Sequence, residues 1–189
     1  MDAAVLAAMA RWPDVPDVYG WLSLDARGRW RLRGELIGNP ALNEFIGRNY
    51  ACDPRGAWFF QNGPQRVFVE LACTPWVLHL TGTGELETQT GTPFRMLRNA
   101  WLDNQGRLLI SGAAGLGLVH DRDLAALLDR LVDADGQAAD MQACAKLMAG
   151  KALPIQLRLA QQHLPVSPVS ADALEALGGF IAVPAPEPT

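Results

Sequence analysis

The chain has 189 residues, 49% of them hydrophobic, and carries a formal net charge of −4 at pH 7. That length fits one domain or two small lobes, and the apolar content is enough for a core, which excludes global disorder. The 16 basic residues, all but two of them arginine, do not outnumber the 20 acidic ones, so wholesale binding to a nucleic-acid backbone is disfavoured.

Ala3 to Ala10 is apolar, but Asp2 precedes it and Arg11 ends it before a signal-peptide core is complete. The segment predicts a short amphipathic helix with Val5, Leu6 and Met9 inward. No apolar run reaches the ~20 residues of a membrane-spanning helix, and the cytoplasm is the expected compartment. Tyr19 to Asp25 reads as a strand, turned by Ala26-Arg27-Gly28, with Arg29 to Glu35 returning as a second strand. Trp30 and Leu32 would face inward there, and Arg29, Arg31 and Arg33 outward. Asn39-Pro40 starts a helix, because an N-cap side chain precedes a proline at the first helical position; Leu42, Phe45, Ile46 and Tyr50 form its stripe. Asp53 to Gly56 is a turn. Trp58 to Gln61, Arg66 to Cys73, Trp76 to Thr81 and Glu85 to Thr90 read as strands.

The second half begins in the same way. Ala100 to Asp103 and Arg107 to Ser111 are strands around an Asn104-Gln105-Gly106 turn, and Leu116 to Val119 follows a Gly-rich bend. Asp121 is the expected cap of a helix carrying Leu124, Leu127, Leu128, Leu131 and Val132, stopped by the turn Asp133 to Gly136. Gln137 to Ala149 reads as a helix with Met141, Cys144, Leu147 and Met148 on one side. Ile155 to Leu159 reads as a strand, Ser170 to Leu177 as a capped short helix, and Phe180 to Val183 as a closing strand.

Gly28-Arg29 and Gly106-Arg107 lie 78 positions apart (107 minus 29), and Asp53 and Asp133 lie 80 apart (133 minus 53). Strand, turn, strand, helix and acidic turn recur in that order, which suggests an internal duplication. The expected class is α+β, with two related lobes of antiparallel strands, each with a crossing helix. Residues 1–18 form a helix and lead-in, 19–95 the first lobe, 96–183 the second, and 184–189 a frayed tail.

Few residues point to chemistry. Cys52, Cys73 and Cys144 are odd in number and form no CxxC pair, so reduced thiols are expected instead of a disulfide framework or a structural zinc site. Ser111 to Gly117 is Gly-rich but lacks the Lys-Ser/Thr of a phosphate loop. His120-Asp121-Arg122-Asp123 has metal-compatible residue types, yet His79 and His163 read as isolated and no ligand set converges in the sequence. No cofactor, metal or catalytic nucleophile is implied. The densest polar constellation is Gln61, Asn62, Gln65 and Arg66, three amides and a guanidinium around an Asn-Gly-Pro turn. It can floor a pocket for a small ligand or peptide, or satisfy backbone groups of a neighbouring lobe. A binding module, a structural protein cemented by this hairpin, and an enzyme using His120, Asp121 and Asp123 or Arg66 all stay open, with partner and oligomeric state undetermined.

Gly28-Arg29-Trp30, the hairpin Trp58 to Val67 and Thr74-Pro75-Trp76 together resemble a bacterial family known as a domain of unknown function (family 2944 or a neighbour). The resemblance covers most of the chain, and the hairpin is its most specific part. More loosely, the order of elements is similar to a second bacterial family with a duplicated α+β fold. That likeness implies a lobe akin to pleckstrin-homology folds and a role in signalling, and carries no site residues.

Overall fold

The computed structural model describes residues 1–12, 15–160 and 162–186. The chain forms two compact units: residues 1–75 with 179–189, and residues 76–178. Each holds one β-sheet, so the class is mixed α+β. No helix among the described residues is long and apolar enough to cross a membrane.

The first unit opens with helix α1 (Ala3–Arg11), which buries Val5. Six strands follow: β1 (Val18–Leu24), β2 (Trp30–Leu32), β3 (Glu35–Leu36), β4 (Tyr50–Cys52), β5 (Trp58–Asn62) and β6 (Gln65–Leu71). Helix α2 (Pro40–Arg48) lies between β3 and β4, and Asn39 caps it by accepting from the Ala41 and Leu42 amides. The sheet runs β3-β2-β1-β6-β5-β4, with β1 and β6 parallel. The expected single strand from Arg29 to Glu35 is broken, because Arg33 and Gly34 take positive φ (50° and 85°) and fold β3 back on β2. Trp30 is buried, but Leu32 is exposed, so the expected inward stripe is only half formed. Tyr50 belongs to β4 and not to the helix. Aromatic residues fill this unit: Tyr19 stacks on Phe68 at 4.5 Å, and Tyr50 meets Trp30 and Trp58 at 5.0 and 4.7 Å. Segment 179–183 returns here, where the Ile181 amide donates to Gly56 O and the Leu71 amide to Ala182 O. These are bridges, not the full strand expected over Phe180 to Val183. A side chain at Gly56 would collide with the Gly179 carbonyl, so the glycine is required.

The second unit contains β7 (Trp76–Leu80), β8 (Leu86–Thr88), β9 (Ala100–Asp103), β10 (Leu108–Gly112), β11 (Gly115–Val119), α3 (Asp121–Leu128), β12 (Leu131–Val132), α4 (Met141–Met148), β13 (Ile155–Leu159), β14 (Gln162–Val169) and α5 (Leu174–Gly178). Its eight-stranded sheet runs β12-β13-β14-β9-β10-β11-β7-β8. β14 pairs parallel with β9, and β11 parallel with β7. The expectation of purely antiparallel lobes therefore gives way to mixed sheets. β7 and β8, read from sequence as part of the first lobe, pair in this second sheet. Strand β14 was missed because Pro165 and Pro168 interrupt it, and proline rarely sits inside a sheet. Leu131 and Val132 continue a helical period yet form β12, and α4 starts only at Met141, which is exposed instead of inward. The core gathers Leu78, Leu102, Leu108, Ile110, Leu127 and Leu157, all essentially without exposure.

One loop closes hairpin after hairpin. At Asp25, Asp53, Asp103 and Asp133, the Asp amide donates to the carbonyl four residues on, and a glycine three residues on donates back to the Asp carbonyl. Oδ1 of each Asp accepts the amides two and four residues later, at 2.8–3.0 Å. The glycines (28, 56, 106 and 136) have φ of 73–92°, the left-handed position that closes a three-residue hairpin loop. Thr81 and Thr88 build the same loop with a hydroxyl as acceptor.

Candidate functional site

The Gln61 to Arg66 hairpin joins β5 to β6. Cross-strand pairing sets Gln61 opposite Arg66 and Asn62 opposite Gln65. Side chains of a directly opposed pair share a face and the next pair takes the other face, so the four residues divide two and two and do not make one floor. Gln61 is 1% exposed; its Nε2 donates to Gly63 O at 2.9 Å, and its Oε1 is buried without a partner. Gln65 Nε2 donates to Pro16 O at 3.1 Å. The exposed Arg66 lies over the Phe59 ring at 5.0 Å, and Asn62 is exposed.

A second constellation forms in the other unit. Parallel pairing aligns Val119 of β11 with Leu78 of β7, and the His120 amide donates to Leu78 O at 2.9 Å. That registers His120 beside His79, with ring centroids 4.7 Å apart. The close approach depends on Gly117, where a Cβ would stand 2.7–2.8 Å from three Leu78 side-chain carbons. Helix α3 then begins, and its first turn is tied back to β7: Asp123 Oδ2 accepts the Leu80 amide at 3.1 Å and stands 3.6 Å from His79 Nδ1. One nitrogen of each imidazole and one Asp123 oxygen all lie within 4.8 Å of one another, at half-buried positions. Arg122 completes the group, with Nη2 at 3.2 Å from His79 Nδ1 and Nε at 3.4 Å from Asp123 Oδ1. Glu87 stands opposite His79 across β7 and β8, on the same face.

The helix cap is His120 and not the expected Asp121. His120 Nδ1 accepts the Arg122 amide at 3.1 Å and also lies 2.9 Å from Asp121 Oδ1. One ring nitrogen cannot accept from the first and donate to the second at once, so two tautomers compete. Burial, then the charges of His120 and Arg122, lower the His79 pKa below its ordinary value, against the upward pull of Asp123 and Glu87.

Arg122 and His79 are 43 positions apart. In the sequence His79 reads as isolated, because its link to His120 is a parallel pairing of β7 with β11, which leaves no local signal. A histidine inside the otherwise apolar run Trp76 to Leu80 is the one hint in the sequence. His163 is elsewhere, on β14, with Nδ1 3.2 Å from Gln156 Oε1. None of the three cysteines is in a disulfide, and burial followed by the Asp53 charge raises the Cys52 pKa, which opposes nucleophilic use.

Among solved structures, the fold is similar to a DUF1285 family protein from Silicibacter pomeroyi DSS-3, with TM-score 0.51 and 16% identity over 89% of this chain and 97% of that one. A DUF1285 family protein from Shewanella baltica OS155 matches at TM-score 0.37 and 16% identity, over 54% of this chain and 85% of that one. At this identity the likeness is one of fold, carried by the first structure. Among curated proteins, none matches. A family model named DUF2944 and described as "Protein of unknown function (DUF2946)" matches residues 1–185, and the chain belongs to that family.

Proposed function

We propose that this chain is a binding module without covalent chemistry of its own, and that its ligand is taken at His79, His120, Arg122 and Asp123. The observation that supports this is a contrast in polar matching. The hairpin loops hold their arginines tightly, with Arg29, Arg55 and Arg107 donating to Asp25, Asp53 and Asp103 at 2.8, 2.9 and 2.6 Å. In the histidine cluster the Arg122–His79, Arg122–Asp123 and His79–Asp123 contacts are longer, at 3.2–3.6 Å, and a guanidinium is set against the His79 ring, which itself lies against that of His120. Groups whose charges oppose one another in the free protein are a mark of sites arranged for something else to bind. The Gln61 to Arg66 hairpin is the second candidate, favoured by the partnerless Gln61 Oε1. We also read the two units as products of one duplicated sequence, a reading supported by their common strand order.

Thermal and urea melts test the site. His79→Asn and Arg122→Ala should leave unfolding free energy within about 0.5 kcal/mol of the parent or raise it. A loss of more than about 1.5 kcal/mol in both would identify the cluster as structural cement and sink the proposal.

A further inference from the structure

We propose that the ligand of this cluster is a divalent first-row transition-metal ion, held by His79, His120 and Asp123. The inference rests on the binding-site reading above and adds the chemical class to it.

The donor set selects the ion. Two imidazole nitrogens and one carboxylate oxygen suit zinc, cobalt or iron(II), whereas calcium and magnesium favour all-oxygen shells. Metal–nitrogen and metal–oxygen bonds of about 2.0–2.2 Å put tetrahedral ligand atoms about 3.3–3.5 Å apart. The three donors already lie within 4.8 Å of one another, so side-chain rotation of about an ångström closes the set without moving the backbone.

The supporting groups are in place as well. The Leu80 amide holds Asp123 Oδ2 at 3.1 Å. Asp121 Oδ1 stands 2.9 Å from His120 Nδ1; with the proton on Nδ1 and donated to that carboxylate, Nε2 presents its lone pair to the ion. A carboxylate behind a ligating histidine is the usual way such rings are oriented. Metal binding thus selects one of the two competing tautomers, and the Arg122 amide gives up its bond to the ring. Three protein ligands leave at least one position open, and Glu87, facing His79 across the ladder, is the nearest candidate on these strands to fill it.

Arg122 explains how the site stays neutralised without an ion. Its guanidinium sits against His79 Nδ1 and Asp123 Oδ1, two groups the ion would use. A guanidinium and a dication cannot share that position. The Arg122 side chain is 65% exposed, so it can swing into solvent as the ion enters.

The test uses the full chain, stripped with chelator and titrated with cobalt(II) and zinc(II). Equilibrium dialysis with elemental analysis gives stoichiometry, and the visible absorption of bound cobalt reports coordination. About one ion per chain is expected. Three substitutions remove ligands while keeping backbone contacts: His79→Gln, Asp123→Asn, which retains an acceptor for Leu80, and His120→Asn, which retains a helix cap as Asn39 does for α2. Each should weaken binding about tenfold or more, while Cys52→Ser and His163→Asn should leave it unchanged. Absence of saturable binding by the folded parent chain overturns the metal assignment, as does binding that survives all three ligand substitutions or is lost in either control. Stability-neutral His79→Asn and Arg122→Ala chains together with no metal binding would leave the binding-site reading standing and remove only the metal.

Discussion

Replacing Asp103 with alanine should cost the second unit about 3–5 kcal/mol, and the loop it closes shows why. The Asp103 side chain is fully buried; Oδ1 accepts the Gln105 and Arg107 amides at 2.9 and 2.8 Å, and Oδ2 accepts Arg107 Nε at 2.6 Å. Alanine leaves the Arg107 guanidinium, on a side chain 26% exposed, without its counter-charge, a loss that runs at about 3–5 kcal/mol when one partner of a buried pair is removed. Asp133 supplies the internal control. It makes the same two amide contacts, at 2.9 Å each, in a loop of the same geometry, but its fourth following residue is Gln137 and not arginine. Asp133→Ala therefore removes a cap-like interaction from an exposed loop and should cost about 0.5–2 kcal/mol. Urea unfolding followed by far-ultraviolet circular dichroism and tryptophan fluorescence measures both, with unchanged m-values required for the comparison. Costs for the two variants within about 0.5 kcal/mol of each other would refute the reasoning, because the buried ion pair would then add nothing to the loop.

Two further outcomes follow from the same contacts. His79 titrates below its ordinary value of 6.5, chiefly through burial and then through His120 and Arg122, with Asp123 and Glu87 opposing. The unfolded chain therefore takes up the proton first as pH falls, so the stability from neutral His79 is complete above 6.5 and declines below it. Unfolding free energy should fall as the pH is lowered below about 6.5, and fall less in His79→Asn; parallel curves for the two proteins would assign the slope to other groups. Arg66→Ala should cost no more than about 1 kcal/mol in a thermal melt, since an exposed guanidinium over the Phe59 ring contributes about 0.5–1 kcal/mol. A loss of 3 kcal/mol or more would place Arg66 in a buried network after all.

What the sequence disclosed was what short segments decide. Asn39-Pro40 starts a helix because its cap and its fixed φ act within three residues, and the Asp-x-x-Gly loops close because one glycine supplies the left-handed step. What it hid depends on distant partners. Leu131 and Val132 fit the period of α3 equally well, and only pairing with Leu157 and Gln156 makes them a strand. Arg33 at φ 50° splits what alternation reads as one strand, and no residue preference announces that in an arginine. The candidate site suffered most, since His79 and His120 meet through a parallel strand pair that neither neighbourhood encodes.

A comparison of the two units shows what sets that site apart. The first sheet runs β3-β2-β1-β6-β5-β4, and six strands of the second run β11-β10-β9-β14-β13-β12, the same order with the same central parallel pair. In both, a helix leaves the third strand through a capping side chain: Asn39 in the first unit, His120 in the second. The cap is thus a shared backbone requirement that either residue meets, but the imidazole brings a metal-compatible nitrogen that the amide does not. The third strand also differs. β3 is an exposed sheet edge two residues long, whereas β11 is covered by β7 and β8, and β7 delivers His79, β8 Glu87 and the Leu80 amide a hold on Asp123. An edge strand presents unpaired backbone groups, and adding a hairpin to it satisfies them. In the second unit that added hairpin does more than cover an edge: it turns an ordinary helix cap into one side of a three-ligand cluster. The first unit, with the same framework and no such hairpin, has Asn39 and no histidine at the corresponding turn, which is why chemistry should be sought at the β7–β11–α3 junction.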